Sequence, residues 1–174
     1  MKPVHEEISD LLSEGDERRR QLAGDPFACP KEARKKAMDF LARREYGQAE
    51  LIKKLADKGF ERDVAAEAVT QLTTEGLQSD QRFAESFVQS RINQGKGPVR
   101  IRVDLGQRGV GDSTIEIAIE EADPDWRALA REQRQKKFGT STPSDFKEKA
   151  RQMRFLQYRG FEQDQIQAAL GNDR

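Results

Sequence analysis

The chain has one histidine, one cysteine, one tryptophan and two tyrosines in 174 residues, and no long hydrophobic run. A single cysteine, Cys29, excludes an intramolecular disulfide and suits a reducing compartment. Cys29 and His5 together cannot complete a four-ligand zinc site. Gly95-Lys96-Gly97 lacks the third glycine of a dinucleotide loop, and no glycine-rich segment ends in Gly-Lys-Ser or Gly-Lys-Thr. The acidic group Glu120, Glu121, Asp123, Asp125 lies outside any oxygen-ligand loop pattern, and reads as a solvated helix end. No apolar stretch approaches a membrane span, and the first residues lack the pattern of a signal peptide. These absences point to a soluble, cytoplasmic protein that is not an enzyme, with no cofactor and no metal.

What is present is a repeat. Leu55-Ala56-Asp57-Lys58-Gly59-Phe60 returns as Leu105-Gly106-Gln107-Arg108-Gly109-Val110, and again as Leu156-Gln157-Tyr158-Arg159-Gly160-Phe161. The spacing is about 50 residues, a period that signals tandem structural units. Each copy continues in register, with Asp63, Ser113 or Asp164 three residues after the apolar position, then Ala68-Val69, Ala118-Ile119 or Ala169-Leu170. The physical reading is one helix ending on a left-handed glycine and another beginning. Asp63, Ser113 and Asp164 are the expected caps of the second helix, Ser113 forming a capping box with Glu116.

Apolar spacing fills in the units. Ala33, Ala37, Phe40 and Leu41 form a helical stripe, as do Phe83, Ala84, Phe87 and Val88. Trp126, Leu129 and Ala130 follow a proposed cap at Asp123-Pro124, and Phe146, Ala150, Met153 and Leu156 line the next helix. Residues 99–105 alternate like a strand, but the repeat aligns Ile101 and Leu105 with Leu51 and Leu55 of a helical segment. A helix is therefore expected there. The predicted fold is all-α: three tandem three-helix repeats in an elongated, curved arrangement. The expected boundaries are a mobile acidic tail over residues 1–30, then modules over 31–77, 78–122 and 123–174.

Equal numbers of basic and acidic residues, 31 each, conceal an uneven distribution. Two helices joined by a short glycine turn suggest a helix-turn-helix, whose second helix would enter the major groove. Yet residues 63–75, 113–122 and 164–170 hold no Lys or Arg in any copy, which argues against base reading by that helix. Basic residues gather on the first two helices of each module instead. Arg91, Lys96, Arg100, Arg102 and Arg108 face only Asp104 between positions 91 and 110, and Arg100 falls on the side away from Ile101. Lys136, Lys137, Lys147, Lys149, Arg151 and Arg154 form a second group in the third module. Both groups are candidate surfaces for a negatively charged partner; the competing account is the ordinary charge of an exposed helix face.

These residues carry a resemblance. Gln94-Gly95-Lys96-Gly97-Pro98-Val99-Arg100-Ile101-Arg102, residues 105–109, Asp125-Trp126-Arg127-Ala128-Leu129-Ala130, Lys136-Lys137-Phe138-Gly139 and Arg154-Phe155-Leu156-Gln157-Tyr158-Arg159-Gly160-Phe161 stand in family order. Over about residues 31–171 the chain resembles the RecX family of bacterial recombination regulators, modulators of the recombinase RecA. The resemblance implies tandem three-helix modules and binding to RecA, chiefly to its filament on single-stranded DNA along the helical groove. It also implies inhibition of RecA ATPase, co-protease and strand-exchange activities, with no nucleotide site in this chain and a monomer expected. No residue role transfers with it. Direct binding of single-stranded nucleic acid is the alternative. The aromatics favour the protein partner, because most stand at core spacings; Tyr46, Tyr158 and Trp126 are expected at core or boundary positions rather than as stacking platforms.

Overall fold

A computed structural model of the chain describes residues 24–171, and residues 1–23 of the expected acidic tail lie outside the described residues. Within the described residues the regular structure is helical. A 3-10 turn, Pro26–Ala28, precedes α1 (Pro30–Leu41), α2 (Gln48–Asp57) and α3 (Arg62–Thr74). Next come α4 (Asp80–Asn93), α5 (Pro98–Gln107) and α6 (Asp112–Ala122), then α7 (Trp126–Phe138), α8 (Phe146–Arg159) and α9 (Gln163–Ala169). The chain forms three three-helix repeats, distributed over two compact units, one running to Gln78 and the other starting at Ser79.

In the first unit, Ala33, Ala37, Leu51, Leu55, Val69 and Leu72 are fully buried. Each buried leucine contributes about 1.5–3 kcal/mol of transfer free energy. Tyr46 is buried beside Phe40. Gln78 closes this core: its side-chain amide donates to the Tyr46 carbonyl (3.0 Å) and its oxygen accepts from the Thr73 hydroxyl (2.6 Å). The last residues of the expected tail pack here too. Asp25 caps the 3-10 turn, Phe27 stands edge-on to Phe60 at 5.4 Å, and the Phe27 carbonyl accepts the Glu61 N–H at 3.3 Å. Residues 25–29 are thus fastened to the first module by an aromatic contact that apolar periodicity does not register.

In the second unit, Phe83, Val88, Ile101, Leu105 and Ile115 make one core and Ala130, Leu156, Phe161 and Ile166 another. Trp126 is half-buried and touches both. The alternating segment is helical, with Pro98 in its first turn. Ile101 and Leu105 are buried while Val99 and Val103 are 45% and 52% exposed. The apparent strand alternation therefore comes from branched residues on two different faces of one helix, only one of which is core.

The repeated turn has the same hydrogen bonds in all three copies. Phe60, Val110 and Phe161 donate to the carbonyls of Leu55, Leu105 and Leu156, and Gly59, Gly109 and Gly160 donate to Ala56, Gly106 and Gln157. The glycines have φ of 108°, 80° and 92°. This is the Schellman arrangement, with the residue after the glycine buried near the leucine.

Three local expectations need correction. The caps after the glycine turn are Glu61, Gly111 and Glu162, so Asp63, Ser113 and Asp164 are the second helical residues, two positions past the caps. The turn is two residues tighter than expected, and no Ser113–Glu116 capping box forms because Ser113 is already helical; the capping box present joins Glu162 and Gln165. Carboxylates in the first turn still favour the helix dipole. Second, Asp123 is the left-handed end of α6 (φ 34°), and Asp125 caps α7 by accepting the Ala128 N–H at 3.0 Å. Third, Phe146 is 87% exposed, because the first turn of α8 projects past the third core and burial begins at Gln152.

Candidate functional site

The second and third modules are joined by a seam between the start of α5 and the end of α8. The Gly97 N–H donates to the Arg159 carbonyl (2.8 Å) and the Val99 N–H to the Gly160 carbonyl (2.9 Å). Orphan donors at a helix start thus meet orphan acceptors at a helix end, and the opposed partial charges attract. Pro98, which has no N–H, sits between the two donors. The approach is too close for side chains. A Cβ on Gly97 would lie 2.3 Å from the Gly160 carbonyl carbon, and one on Gly160 would lie 2.3 Å from the Arg100 Cβ. One on Gly95 would lie 2.2 Å from the Gln133 side chain. Gly95-Lys96-Gly97 is therefore a docking motif: Gly97 admits the end of α8 and Gly95 the Gln133 side chain of α7.

This docking sorts the basic residues. Arg102 is a clasp: its guanidinium reaches Glu116 of its own module (2.7 Å) and Glu162 of the next (2.9 Å). Arg102, one of the candidate partner-binding cations, is held by these two carboxylates. Arg91 and Arg108 both lie over the Phe87 ring, at 4.3 and 4.9 Å from its centre. Arg91 and Arg100 share Asp104, at 3.9 and 3.8 Å. Arg100 also donates to the Tyr158 carbonyl at 3.4 Å and lies 5.4 Å from the centre of the Tyr158 ring.

Lys96 has no carboxylate within ion-pair distance among the described residues. Burial and then the positive charges of Arg159, Arg100 and Arg91 hold its ammonium below the usual lysine range, with Tyr158 opposing them. Arg159 was not among the expected site residues. It donates to the Gln133 side-chain oxygen at 2.9 Å, with no carboxylate partner among the described residues. The repeat held the signal, since Arg159 occupies the position of Lys58 and Arg108 before the turn glycine. Tyr158 is 72% exposed, which corrects its expected core or boundary placement; Tyr46 is buried and Trp126 half-buried as expected.

The third-module group is more dispersed. Lys136 pairs with Glu132 (2.9 Å), while Arg151 pairs with Glu148 (3.5 Å) and covers Phe138. Lys137, Lys147 and Arg154 are exposed and Lys149 half-buried, none of them with an ion pair among the described residues. Arg134 is buried and structural: it donates to the Ser141 carbonyl at 3.0 Å and holds the 139–144 loop against α7. No group of three or more His, Cys, Asp or Glu able to hold a metal ion occurs among the described residues. No described helix is long and apolar enough to cross a membrane.

Three family models match the chain: the first RecX three-helix domain over residues 33–72, the second over 79–119 and the third over 125–170. The chain belongs to the RecX family. A regulatory protein RecX of Pseudomonas fluorescens strain Pf-5 is 46% identical over 137 residues, covering 79% of this chain and 88% of its own. One from Halorhodospira halophila is 45% identical over 142 residues, covering 82% and 88%. Two solved RecX structures share the fold at 22% identity. A crystal structure of regulatory protein RecX has a TM-score of 0.71 over 83% of this chain and 73% of that one. RecX from Lactobacillus salivarius has a TM-score of 0.66 over 82% and 94%. The seam runs between the second and third RecX domains, and both of its glycine-bearing edges lie in motifs that carry the family resemblance.

Proposed function

We propose that the chain regulates homologous recombination and DNA repair by binding the recombinase RecA and its nucleoprotein filament on single-stranded DNA. It inhibits the ATPase, co-protease and strand-exchange activities of RecA, acts in the cytoplasm, and works by binding as a monomer rather than by catalysis. Family membership supports the regulatory role. What supports a contact at the seam is the clustering of Arg91, Lys96, Arg100 and Arg159 there, with Asp104 paired to Arg91 and Arg100. Such a concentration of like charge raises the local potential and attracts an anionic surface.

The test is inhibition of RecA ATPase on single-stranded DNA by the full chain. Lys96→Glu should weaken inhibition about tenfold or more at low salt, and the loss should shrink as salt rises. Lys137→Glu and Lys147→Glu in the third module should cost less if the seam dominates. Arg102 is left unchanged in this test, because its reversal would act through folding. A folded Lys96→Glu chain that inhibits like the wild type would remove the seam from the contact.

A further inference from the structure

The seam combines two features that a protein contact alone does not require. The first is the excess of cations around Lys96, where Arg91 and Arg100 share the one carboxylate of Asp104 and Lys96 and Arg159 have no ion pair among the described residues. The second is Tyr158, which projects from the last turn of α8 with 72% of its surface exposed. Its ring supports no core, and the Arg100 guanidinium lies over it at 5.4 Å. Its position bears on the Lys96 ammonium, so ring and cations share one patch. Tyr158 and Arg100 line an open groove of about 330 Å³, together with Val99, Val103, Asp104 and Gln157 among others.

We propose that this patch is a subsite for single-stranded nucleic acid, in which one base stacks on Tyr158 while neighbouring phosphates lie against Lys96 and Arg100. An exposed aromatic beside a cationic track is the general means by which single strands are held without sequence preference, because every base offers a flat face. Arg100 over the ring adds a cation to the stack. An extruded base needs an open ring face, which a duplex cannot use. An acidic polypeptide is the competing occupant, and it would depend on the exposed Val99 and Val103 floor rather than on a planar ring. The inference rests on the reading that the seam is where the chain meets its partner, and it assigns the strand, not the protein coat, to this part of the surface.

The test measures anisotropy of a labelled oligothymidylate with the full chain, using wild type, Tyr158→Ala, Tyr158→Phe, Lys96→Glu and Val99→Ser/Val103→Ser, each checked for folding by circular dichroism. Tyr158→Ala and Lys96→Glu should each weaken binding about tenfold, with Tyr158→Phe and the valine double variant close to wild type. An oligonucleotide with abasic sites should bind the wild type more weakly than oligothymidylate, and Tyr158→Ala should no longer distinguish the two. Unchanged binding by Tyr158→Ala would overturn the subsite. So would loss on removing the valines, or equal competition by polyglutamate, which would assign the groove to an acidic peptide. RecA inhibition separates this proposal from the one it rests on. If Lys96→Glu relieves inhibition but the wild type binds no oligothymidylate, the subsite fails and the filament contact stands. If oligothymidylate binding falls and inhibition does not, the filament contact fails and the subsite stands.

Discussion

Gly59 and Gly160 end equivalent helices with the same pair of hydrogen bonds and similar positive φ, yet their surroundings differ. A Cβ on Gly59 would meet the edge of the Phe27 ring at 3.2 Å, a side chain that can shift. A Cβ on Gly160 would meet the Arg100 Cβ at 2.3 Å and its backbone nitrogen at 2.6 Å, which cannot shift without moving α5. The repeat supplies one turn, and the chain uses it in two ways. In the first unit it ends a helix under an aromatic lid. In the second unit it is a docking face, where a helix end is capped by the start of another helix from the neighbouring module. A repeat thus conserves the local hydrogen bonding while the outer face of each turn is free to differ.

The sharpest way to break this comparison is at the backbone contact. Gly97→Val places a Cβ 2.3 Å from the Gly160 carbonyl carbon and oxygen and 2.5 Å from the Phe161 nitrogen, all of them backbone. It should cost about 3 kcal/mol or more, read as a fall in the urea midpoint, since overpacking here has no side chain to displace. A cost below about 1 kcal/mol would mean that the two helix ends part easily and that the seam does not hold the modules together.

Arg102→Glu comes next. It converts a clasp between Glu116 and Glu162 into three facing carboxylates. The original pairs are partly exposed, so their direct loss is worth about 1 kcal/mol at most, and repulsion roughly doubles it at low salt. Thermal melts at low and high salt should show the deficit shrinking with salt. A salt-independent deficit would point to packing of the arginine stem instead.

Gly59→Ala should cost about 1 kcal/mol, arising mainly from the positive φ, because Phe27 can yield. Gly59→Ala combined with Phe27→Ala then reports the lid. If the alanine costs the same in both backgrounds, the backbone conformation is the whole effect and the Phe27 contact is incidental.

The part of this architecture legible in sequence is the part dictated by local rules. The Schellman glycines, the stripes through Leu51–Leu55 and Ile101–Leu105, and the helical nature of α5 follow from periodicity and from three aligned copies. The caps lie two residues before the expected Asp and Ser, which are good cap types; Glu61 and Gly111 hold that place with no side-chain cap bond, and Glu162 holds it through its capping box with Gln165. The site was legible only as a local excess of charge. Sequence spacing shows that Arg100 and Arg102 leave the core face, but not that Glu162, 60 residues away, claims Arg102 and leaves Arg100 beside Tyr158. Arg159 and Tyr158 enter the patch only through the docking of α8 on α5; the repeat marks Arg159 as the basic residue before the turn glycine but not the surface it joins.

The smallest expected effect tests whether the seam carries unrelieved charge. Lys96 is half-buried among Arg159, Arg100 and Arg91, and its ammonium is disfavoured in the folded chain, first by burial and then by those charges. Its proton is therefore held less tightly folded than unfolded. As pH rises between the folded value and the ordinary lysine value of 10.5, the unfolded chain binds more protons, and this lysine's contribution to stability increases with pH. Below that window the ammonium is charged in both states, and the folded chain carries the full penalty at neutral pH. Lys96→Met keeps the stem and removes the charge, so it should melt slightly higher than the wild type at neutral pH and low salt, by no more than about 2 °C. The advantage should narrow as pH rises towards the ordinary lysine value of 10.5, and should fall in high salt as the arginine charges are screened. An anionic partner seated in the seam offsets the same repulsion, so bound oligothymidylate should raise the melting temperature of the wild type more than that of Lys96→Met. If Lys96→Met instead melts lower at neutral pH, the ammonium is a stabilising contact of the folded chain, and the seam is a neutralised joint no more poised to receive an anion than the lid over Gly59.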